Sequence, residues 1–315
     1  MTVLACDFGG TRMKIGIVRD GRVLAQCVAP ANSQRDLAPQ LPALKLAWLG
    51  LLERAGLSLA DCAGVGVAFP SIVHHATGRI LDHFGKYRDC MDLDLRAWSR
   101  TELGLPLAIE NDARMACIGE WRCGAGRGVD NLVMLTLGTG LGTGVILEGR
   151  VLRGSHGQAG VLGGHLTLRH GGRACGCGNL GCAEAEASTA VLADLAAARA
   201  DFPASALAHE PVLDFAAVFR HAAAGDGCAL ALRDHALLVW SSLVVSLIHA
   251  YDPELIVIGG GIMAAAEVIL PAVRAHVRQH AHTPWGQVRV EASVLGDQAA
   301  LVAAEWLLEE QSIHF

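Results

Sequence analysis

Asn131-Leu132-Val133-Met134-Leu135-Thr136-Leu137-Gly138-Thr139-Gly140-Leu141-Gly142-Thr143-Gly144-Val145-Ile146-Leu147-Glu148-Gly149 is an apolar run, a turn of glycines interleaved with threonines, and a second apolar run that ends in another turn. A short apolar run bounded by turn residues reads as a buried strand, and a glycine-rich tip lets the chain double back on it. The same plan opens the chain. Thr2 to Asp7 is apolar and extended, Gly9-Gly10-Thr11 is a turn, Ile15 to Val18 resumes, Asp20-Gly21 turns again, and Val23 to Val28 forms a third strand. Two hairpins with glycine-rich tips, one per half, imply a duplicated architecture, although no repeat of fixed period accompanies them.

Outward from these hairpins the pattern is α/β. Leu41 to Ala55 has helical spacing, Gly64 to Phe69 is a buried strand ending at Pro70, and Leu107 to Glu110 is a strand that delivers Asn111-Asp112 before a helix over Ala113 to Trp121. Residues at the carboxyl end of a strand in an open α/β sheet face the ligand crevice. Residues 183 to 250 are alanine-rich and mostly helical, with breaks near Pro203, Pro211 and Gly225-Asp226-Gly227. Leu255 to Ile258 is a buried strand running into Gly259-Gly260-Gly261, and Asp297 to Glu309 is a final helix.

Composition narrows the function. With 315 residues, the chain exceeds the size at which one core stops growing, so two domains are expected. Hydrophobic residues make up 52% and charged ones 18%, which excludes a disordered chain. A net charge of -6 leaves no electrostatic driver for nucleic acid or anionic membrane and favours a small-molecule partner. Met1 leads directly into Val3-Leu4-Ala5-Cys6-Asp7 without the parts of an export signal, so a cytoplasmic location is expected. The most apolar window, Ala236 to Ile248, is shorter than a bilayer span and carries Ser241, Ser242 and Ser246, so it reads as a buried helix.

Three glycine clusters carry binding chemistry. In Asp7-Phe8-Gly9-Gly10-Thr11, followed by Lys14, glycines let backbone N–H groups converge on an anion, Thr11 adds a hydroxyl, and Asp7 offers a carboxylate to Mg²⁺ or its waters. Alone, such a turn is equally a plain hairpin tip. Gly138, Thr139, Gly140 and Gly142 form the second loop, and two such loops can clamp a polyphosphate. A dinucleotide fingerprint would need a helix straight after the glycines, whereas Val145-Ile146-Leu147 continues as a strand. Gly259, Gly260 and Gly261, after a buried strand, allow close approach by a flat ring such as adenine, or by its ribose. Of ten cysteines, three fall within Cys175 to Cys182, and His165-x9-Cys175-x-Cys177-x4-Cys182 suits a tetrahedral structural Zn²⁺. The remaining cysteines are scattered singly through apolar stretches, as core thiols are.

These loops, in this order, resemble the ROK family of bacterial sugar kinases and repressors, a branch of the actin, Hsp70 and hexokinase superfamily. The likeness runs from Asp7 to about Ala303 and includes Glu110-Asn111-Asp112-Ala113, Leu137 to Gly144, Cys175-Gly176-Cys177-Gly178-Asn179-Leu180-Gly181-Cys182-Ala183-Glu184, Ile256 to Gly261 and Leu295-Gly296-Asp297. The resemblance implies a two-domain actin-like (ribonuclease H-like) ATPase fold. The same resemblance implies ATP in the interdomain cleft, the first two loops on its phosphates, and sugar between the lobes. It also implies that Asn111 and Glu184 bind sugar hydroxyls, that the zinc set is structural, and that its histidine, His165, lies against the sugar. Asp112 is expected to accept a proton from the attacking hydroxyl, a role compatible with an Asn-Asp pair that also caps the following helix. The expected domains are 1–113, with a terminal helix 298–315 packing back on it, and 114–297. Dimers are common in the family, so a homodimer is expected.

Departures from the family pattern bear on substrate. Ala-Gly-Glu, any residue, Gly-His is the usual stretch, but Ala159-Gly160-Val161-Leu162-Gly163-Gly164-His165 puts valine at the glutamate position and adds a residue. Loss of that carboxylate removes contacts near C1 and C2, so a hexose altered or substituted there is expected. Pro70-Ser71-Ile72-Val73-His74 differs from the usual Pro-Gly, variable, Val-Asp, and Arg12 stands where lysine is often found. His74, His75, His83, Lys86 and Tyr87 lie in a stretch that could edge the sugar cleft but read first as solvated loop residues, and His170 reads as a solvated loop histidine before a substitute zinc ligand. A ROK repressor would carry a helix-turn-helix ahead of the first hairpin, whereas Asp7 lies six residues from Met1. A sugar sensor without turnover is disfavoured by Asp7, Asp112 and both loops occurring together.

Overall fold

The computed structural model describes residues 1–312, which form two compact units. Unit 1 comprises Met1–Gly128, Arg150–Val161 and the chain from Val294 onward, and unit 2 comprises Val129–Gly149 and Leu162–Ser293.

In unit 1 the strands are β1 (Thr2–Phe8), β2 (Arg12–Arg19), β3 (Arg22–Pro30), β4 (Gly64–Phe69), a small hairpin of β5 (Val73–His74) and β6 (Arg79–Ile80), and β7 (Leu107–Asn111). The main sheet has the order β3-β2-β1-β4-β7. β1 and β2 are antiparallel from Thr2↔Arg19 to Phe8↔Met13, while β4 runs parallel to both β1 and β7. Alternation along β1 assigns its two faces: Leu4, Cys6 and Phe8 enter one buried cluster with Leu44, Trp48 and Leu51 of α1 (Leu41–Arg54), and Val3 and Ala5 enter another. That second cluster holds Met115 and Ile118 of α3 (Asp112–Cys123) and Leu301, Ala304 and Leu307 of the last helix. A third helix, α2 (Leu95–Leu103), packs near β7.

Unit 2 repeats the plan. Its β8 (Leu132–Leu137) and β9 (Leu141–Leu147) form an antiparallel hairpin from Leu132↔Ile146 to Leu137↔Leu141. The two-residue β10 (Arg150–Val151) belongs to unit 1. Within unit 2 the neighbours run β9-β8-β11-β12, with β11 (Leu255–Gly259) parallel to β8 and to β12 (Arg289–Ala292). The duplication extends to the turns. Asp20 and Gly21 have φ of 53° and 69°, and Glu148 and Gly149 have φ of 51° and 65°, the left-handed pair that a two-residue hairpin turn requires. The helices are α4 (Ala183–Ala187), α5 (Leu192–Ala197), α6 (Phe215–Ala223), α7 (Gly227–Tyr251) and α8 (Ala266–His280).

α7 begins where Asp226 accepts a hydrogen bond from the Ala229 amide, and it ends on Asp252 in the left-handed conformation. It is long and apolar enough to cross a membrane, yet Trp240 is fully buried, packs edge-on against Phe215 at 5.0 Å and donates to the Ala187 carbonyl. The final helix, α9 (Ala299–Ser312), lies in unit 1, and residues 313–315 of the expected terminal helix fall outside the described residues.

Several expectations are corrected. The chain first leaves unit 1 after Gly128 and not after Ala113, because α3 packs on α9: a Cβ on Gly119 would sit 1.9 Å from the Ala299 carbonyl oxygen. Gly142 to Gly144 are strand and not turn, paired opposite Thr136 to Met134. The sequence pattern predicts neither β12 nor α8. Nor is Tyr87 a solvated loop residue. It is fully buried against Phe8 and Phe69, with centroids 5.7 and 5.5 Å away.

Candidate functional site

Parallel pairing aligns the carboxyl ends of β1, β4 and β7, and the candidate residues of unit 1 sit there. β1 ends at Asp7-Phe8 and continues into Gly9-Gly10-Thr11, a turn closed by the Gly9 amide donating to the Arg12 carbonyl at 3.1 Å. A Cβ on Gly9 would meet that carbonyl oxygen at 2.5 Å, so only glycine closes the turn. Asp7 is nearly buried, and Lys14 on β2 donates to its Oδ2 at 3.1 Å. Lys14 also lies 3.1 Å from Asp297 Oδ1, and Arg12 lies 3.7 Å from the other Asp297 oxygen. Burial pushes the Asp7 carboxyl up, against the pull of Lys14. For Lys14 burial works downward, but Asp7 and Asp297 outweigh it and hold the ammonium charged.

β7 ends on Asn111, the N-cap of α3, whose Oδ1 accepts from the Arg114 amide at 3.0 Å. Its Nδ2 donates to the Ser71 carbonyl at 3.0 Å and to Asp112 Oδ1 at 3.1 Å, leaving only the second Oδ1 lone pair for a ligand. Asp112 is half-buried, and its Oδ1 also accepts from the Ala113 amide. Burial first, and the charge of Asp7 second, push its pKa up to about 6, with Lys86 pulling the other way.

The pair rests on a buried network that no sequence motif suggests. Glu110, fully buried, accepts from the Asn111 amide at 2.8 Å, from Arg114 at 2.6 Å and from Arg153 at 2.7 Å. Those guanidinium groups outweigh burial and keep Glu110 ionised below its usual range. Arg153 also pairs with Glu310 on α9, and Arg114 donates to the carbonyls of Gly157 and Ala159, each at 2.8 Å. Arg114 therefore fixes the backbone that leads to Val161, which is buried. The Tyr87 hydroxyl donates to the Gly9 carbonyl at 3.2 Å, and Lys86 lies over Gly10.

In unit 2 the second loop follows β8, and the Gly138 amide donates to the Gly140 carbonyl at 3.1 Å. Thr139 is exposed at its tip, as Thr11 is in the first loop. Glu184, in the first turn of α4, accepts from the Leu141 amide at 2.8 Å, and a Cβ on Gly140 would fall 2.4 Å from its carboxylate. His165 ends a tight turn, Gly163–His165, where the Gly163 amide donates to Thr143 Oγ1 at 2.8 Å. Gly259 to Gly261 follow β11, and Gly260, at φ 94°, presses against the end of β8: a Cβ there would lie 2.3 Å from the Leu137 carbonyl oxygen.

His165, Cys175, Cys177 and Cys182 meet, with their ligand atoms all within 4.8 Å of one another. Cys177 and Cys182 sulfurs are 3.7 Å apart, and Cys175 Sγ is 3.5 Å from His165 Nδ1. A tetrahedral zinc with bonds of about 2.3 Å to sulfur sets an S···S edge of about 3.8 Å, so the four residues fit that ion. His165 Nε2 faces Glu184 Oε1 at 3.9 Å, which links the cluster to the carboxylate that braces the loop. His170 is exposed and outside the cluster.

Two sheets of one plan, each with a glycine hairpin at its head, define the actin-like two-domain ATPase fold. The sequence pattern of the ROK family matches residues 3–311, and the chain belongs to that family. It is 31% identical over 314 residues to a glucokinase of Halalkalibacterium halodurans, covering 97% of this chain and 94% of that one. It is 28% identical to an N-acetylmannosamine kinase of Pasteurella multocida, covering 100% and 99%. Among solved structures, a ROK family glucokinase from Streptomyces griseus in complex with glucose and AMPPNP superposes with a TM-score of 0.82 at 28% identity, covering 98% of this chain and all of that one.

Proposed function

We propose that this ATP-dependent sugar kinase transfers the γ-phosphate of ATP to the primary 6-hydroxyl of a hexose or hexose derivative, with Asp112 as the base. The observation that carries the reading is a half-buried carboxyl with a pKa near 6, at the end of a strand whose sheet also ends on Asp7 and the Gly9–Thr11 turn. Such a group is mostly ionised at neutral pH yet basic enough to take a proton as transfer proceeds. The sugar oxygen bonds to the γ-phosphorus and its proton passes to Asp112. The bond from that phosphorus to the β–γ bridging oxygen breaks, and its electron pair leaves with ADP.

Positioning and charge neutralisation supply most of the rest. Gly10 and Thr11, with Thr139 and Gly140, donate to phosphate oxygens, while Gly9 and Gly138 close the two turns with their amides, Gly142 lies in the paired strand behind the second, and Gly259 to Gly261 leave room for adenine or ribose. Asp7 has one carboxylate oxygen free of hydrogen-bond partners among the described residues and would hold Mg²⁺, which neutralises phosphate charge when bound. Asn111, His165 and Glu184 bind sugar hydroxyls. His165, Cys175, Cys177 and Cys182 would hold a structural Zn²⁺ that fixes the position of His165 and, two residues past Cys182, of Glu184. We place the enzyme in the cytoplasm as a homodimer acting on small molecules, without nucleic acid or membrane.

Val161, in place of a carboxylate, favours a glucose-like sugar substituted near C1 or C2. ADP release measured over free aldohexoses, N-acyl hexosamines, β-glucosides and their 6-deoxy forms tests both points. Turnover of the substituted sugars and none of the 6-deoxy forms is expected. Clear preference for plain glucose would overturn the substituent, and turnover of a 6-deoxy sugar would overturn the 6-hydroxyl.

A further inference from the structure

Lys86 sits on a segment whose backbone is unusually constrained. Phe84, Gly85 and Tyr87 have φ of 44°, 73° and 47°, a left-handed conformation that L side chains rarely adopt. Such strain persists only where the surroundings over-determine it, and here they do. The Tyr87 ring is buried between Phe8 and Phe69, its amide donates to the Ser33 carbonyl at 2.7 Å and its hydroxyl to the Gly9 carbonyl. Asp82 Oδ1 accepts from the amides of His83 and Phe84 at 2.6 and 3.1 Å, and the Asp82 carbonyl is bonded by Ser71 Oγ. Between these anchors Lys86 is aimed at the first glycine loop. A Cβ built on Gly10 would lie 3.8 Å from its Cε and 3.9 Å from its Nζ.

The ammonium group has no ion pair or side-chain hydrogen bond among the described residues, whereas Arg12 pairs with Asp297 and Lys14 is paired twice. Composition adds a second argument. The chain has 3 lysines against 22 arginines. Lys45 pairs with Glu102 at the surface, so the other two both flank the Gly9–Thr11 turn. A lysine brings a compact point charge on a flexible stem, which suits contact with a phosphoryl group whose charge shifts as it is transferred.

We propose that Lys86 is a catalytic residue of this kinase, whose ammonium contacts the transferring phosphoryl group and holds Asp112 in its ionised form until the hydroxyl proton arrives. The inference rests on the reading of Asp112 as the base. Within unit 1, the charges that act on that carboxyl are Asp7 on β1 and Lys86, with Lys14 and Asp297 beyond Asp7, His83 on the Lys86 segment, and the Glu110, Arg114 and Arg153 network beneath Asn111. Lys86 is the cation that acts against the combined effect of burial and Asp7.

The test compares Lys86→Met, Lys86→Gln and Lys86→Arg with Asp112→Asn, reading kcat, sugar KM and the acid limb of the kcat/KM profile. Loss of the charge is expected to lower kcat about 10²-fold, the cost of removing one preorganised donor to developing charge, and to leave sugar KM within about threefold. The acid limb should move to higher pH, since Asp112 loses the cation that opposes burial and Asp7, and Lys86→Arg should restore its position and part of kcat. Wild-type kcat in both neutral variants overturns the proposal. A fall in kcat with an unmoved acid limb, or an arginine variant no better than methionine, overturns it equally, because a structural role predicts those results. If Asp112→Asn is inactive while the neutral variants are not, the Lys86 inference alone fails. If Asp112→Asn retains wild-type turnover, the assignment of the base fails and the inference with it.

Discussion

The two glycine hairpins share a strand plan and a threonine at the tip, yet their surroundings differ in kind. Around Gly9–Thr11 stand Asp7, Lys14, Lys86, Asp112 and Asp297, a cluster of titratable groups in which burial and mutual charge move the pKa values of Asp7, Lys14 and Asp112. Around Gly138–Gly142 the nearby carboxylate is Glu184, which accepts from the Leu141 amide, and the Gly138 and Thr139 carbonyls accept from the amides of Thr189 and Ala190. In the proposed mechanism unit 1 supplies charge and proton chemistry, and unit 2 supplies backbone donors and shape beside the cysteine and histidine cluster. Changes in the first region should therefore act on kcat, and changes in the second on substrate affinity and stability.

The largest effect is expected from Asp112→Asn, which should lower kcat by about 10²- to 10⁴-fold while sugar binding, read by calorimetry, stays close to wild type. The same variant should be more stable at neutral pH. A carboxyl whose folded pKa is raised to about 6 from an ordinary 3.8 costs stability once ionised, so the penalty is absent below pH 3.8 and complete above pH 6. A rise of that size corresponds to at most about 3 kcal/mol, visible as a higher denaturation midpoint at pH 7 and none at pH 3.5. Next in size is Arg114→Met, which strips one cation from buried Glu110 and leaves the Gly157 and Ala159 carbonyls without their donor. Urea unfolding should show a loss of about 3 kcal/mol, since breaking a buried pair leaves an uncompensated charge.

The second region is tested by Cys177→Ser, in which bound zinc, measured by elemental analysis, should fall and sugar KM should rise about 10- to 100-fold with a smaller change in kcat. A fall in kcat at unchanged KM would erase the division of labour. Smallest is Gly260→Ala. The added Cβ meets the Leu137 carbonyl and adopts a left-handed φ, so a loss of about 1–3 kcal/mol and a raised KM for ATP are expected, with kcat retained.

How much of this is legible in the sequence depends on how local each signal is. Both hairpins, the glycines after β11 and the cysteine spacing are short-range patterns, and they can be read without knowing what lies across the fold. β12 is not legible because it is a short edge strand in which charged Arg289 and Glu291 interrupt the apolar pattern. α8 carries Pro271 inside its span, which argues against a helix when only propensity is considered. Tyr87 and Lys86 lie among polar and glycine residues that mark a loop, and burial of the tyrosine comes from Phe8 and Phe69, of which Phe8 is far away in the chain. The Glu110, Arg114 and Arg153 network joins β7 to a segment more than forty residues later, so no spacing rule reveals it. The boundary after Gly128 is hidden for a related reason: α3 is held by α9, contributed by the end of the chain.

In the proposed mechanism phosphoryl transfer turns on a single proton acceptor, and the pH dependence of kcat/KM measured for wild type and Asp112→Asn tests it most directly. An acid limb near pH 6 that disappears, with nearly all activity, in the asparagine variant is the expected result. The same limb surviving in a variant that still turns over sugar at the wild-type rate would contradict it.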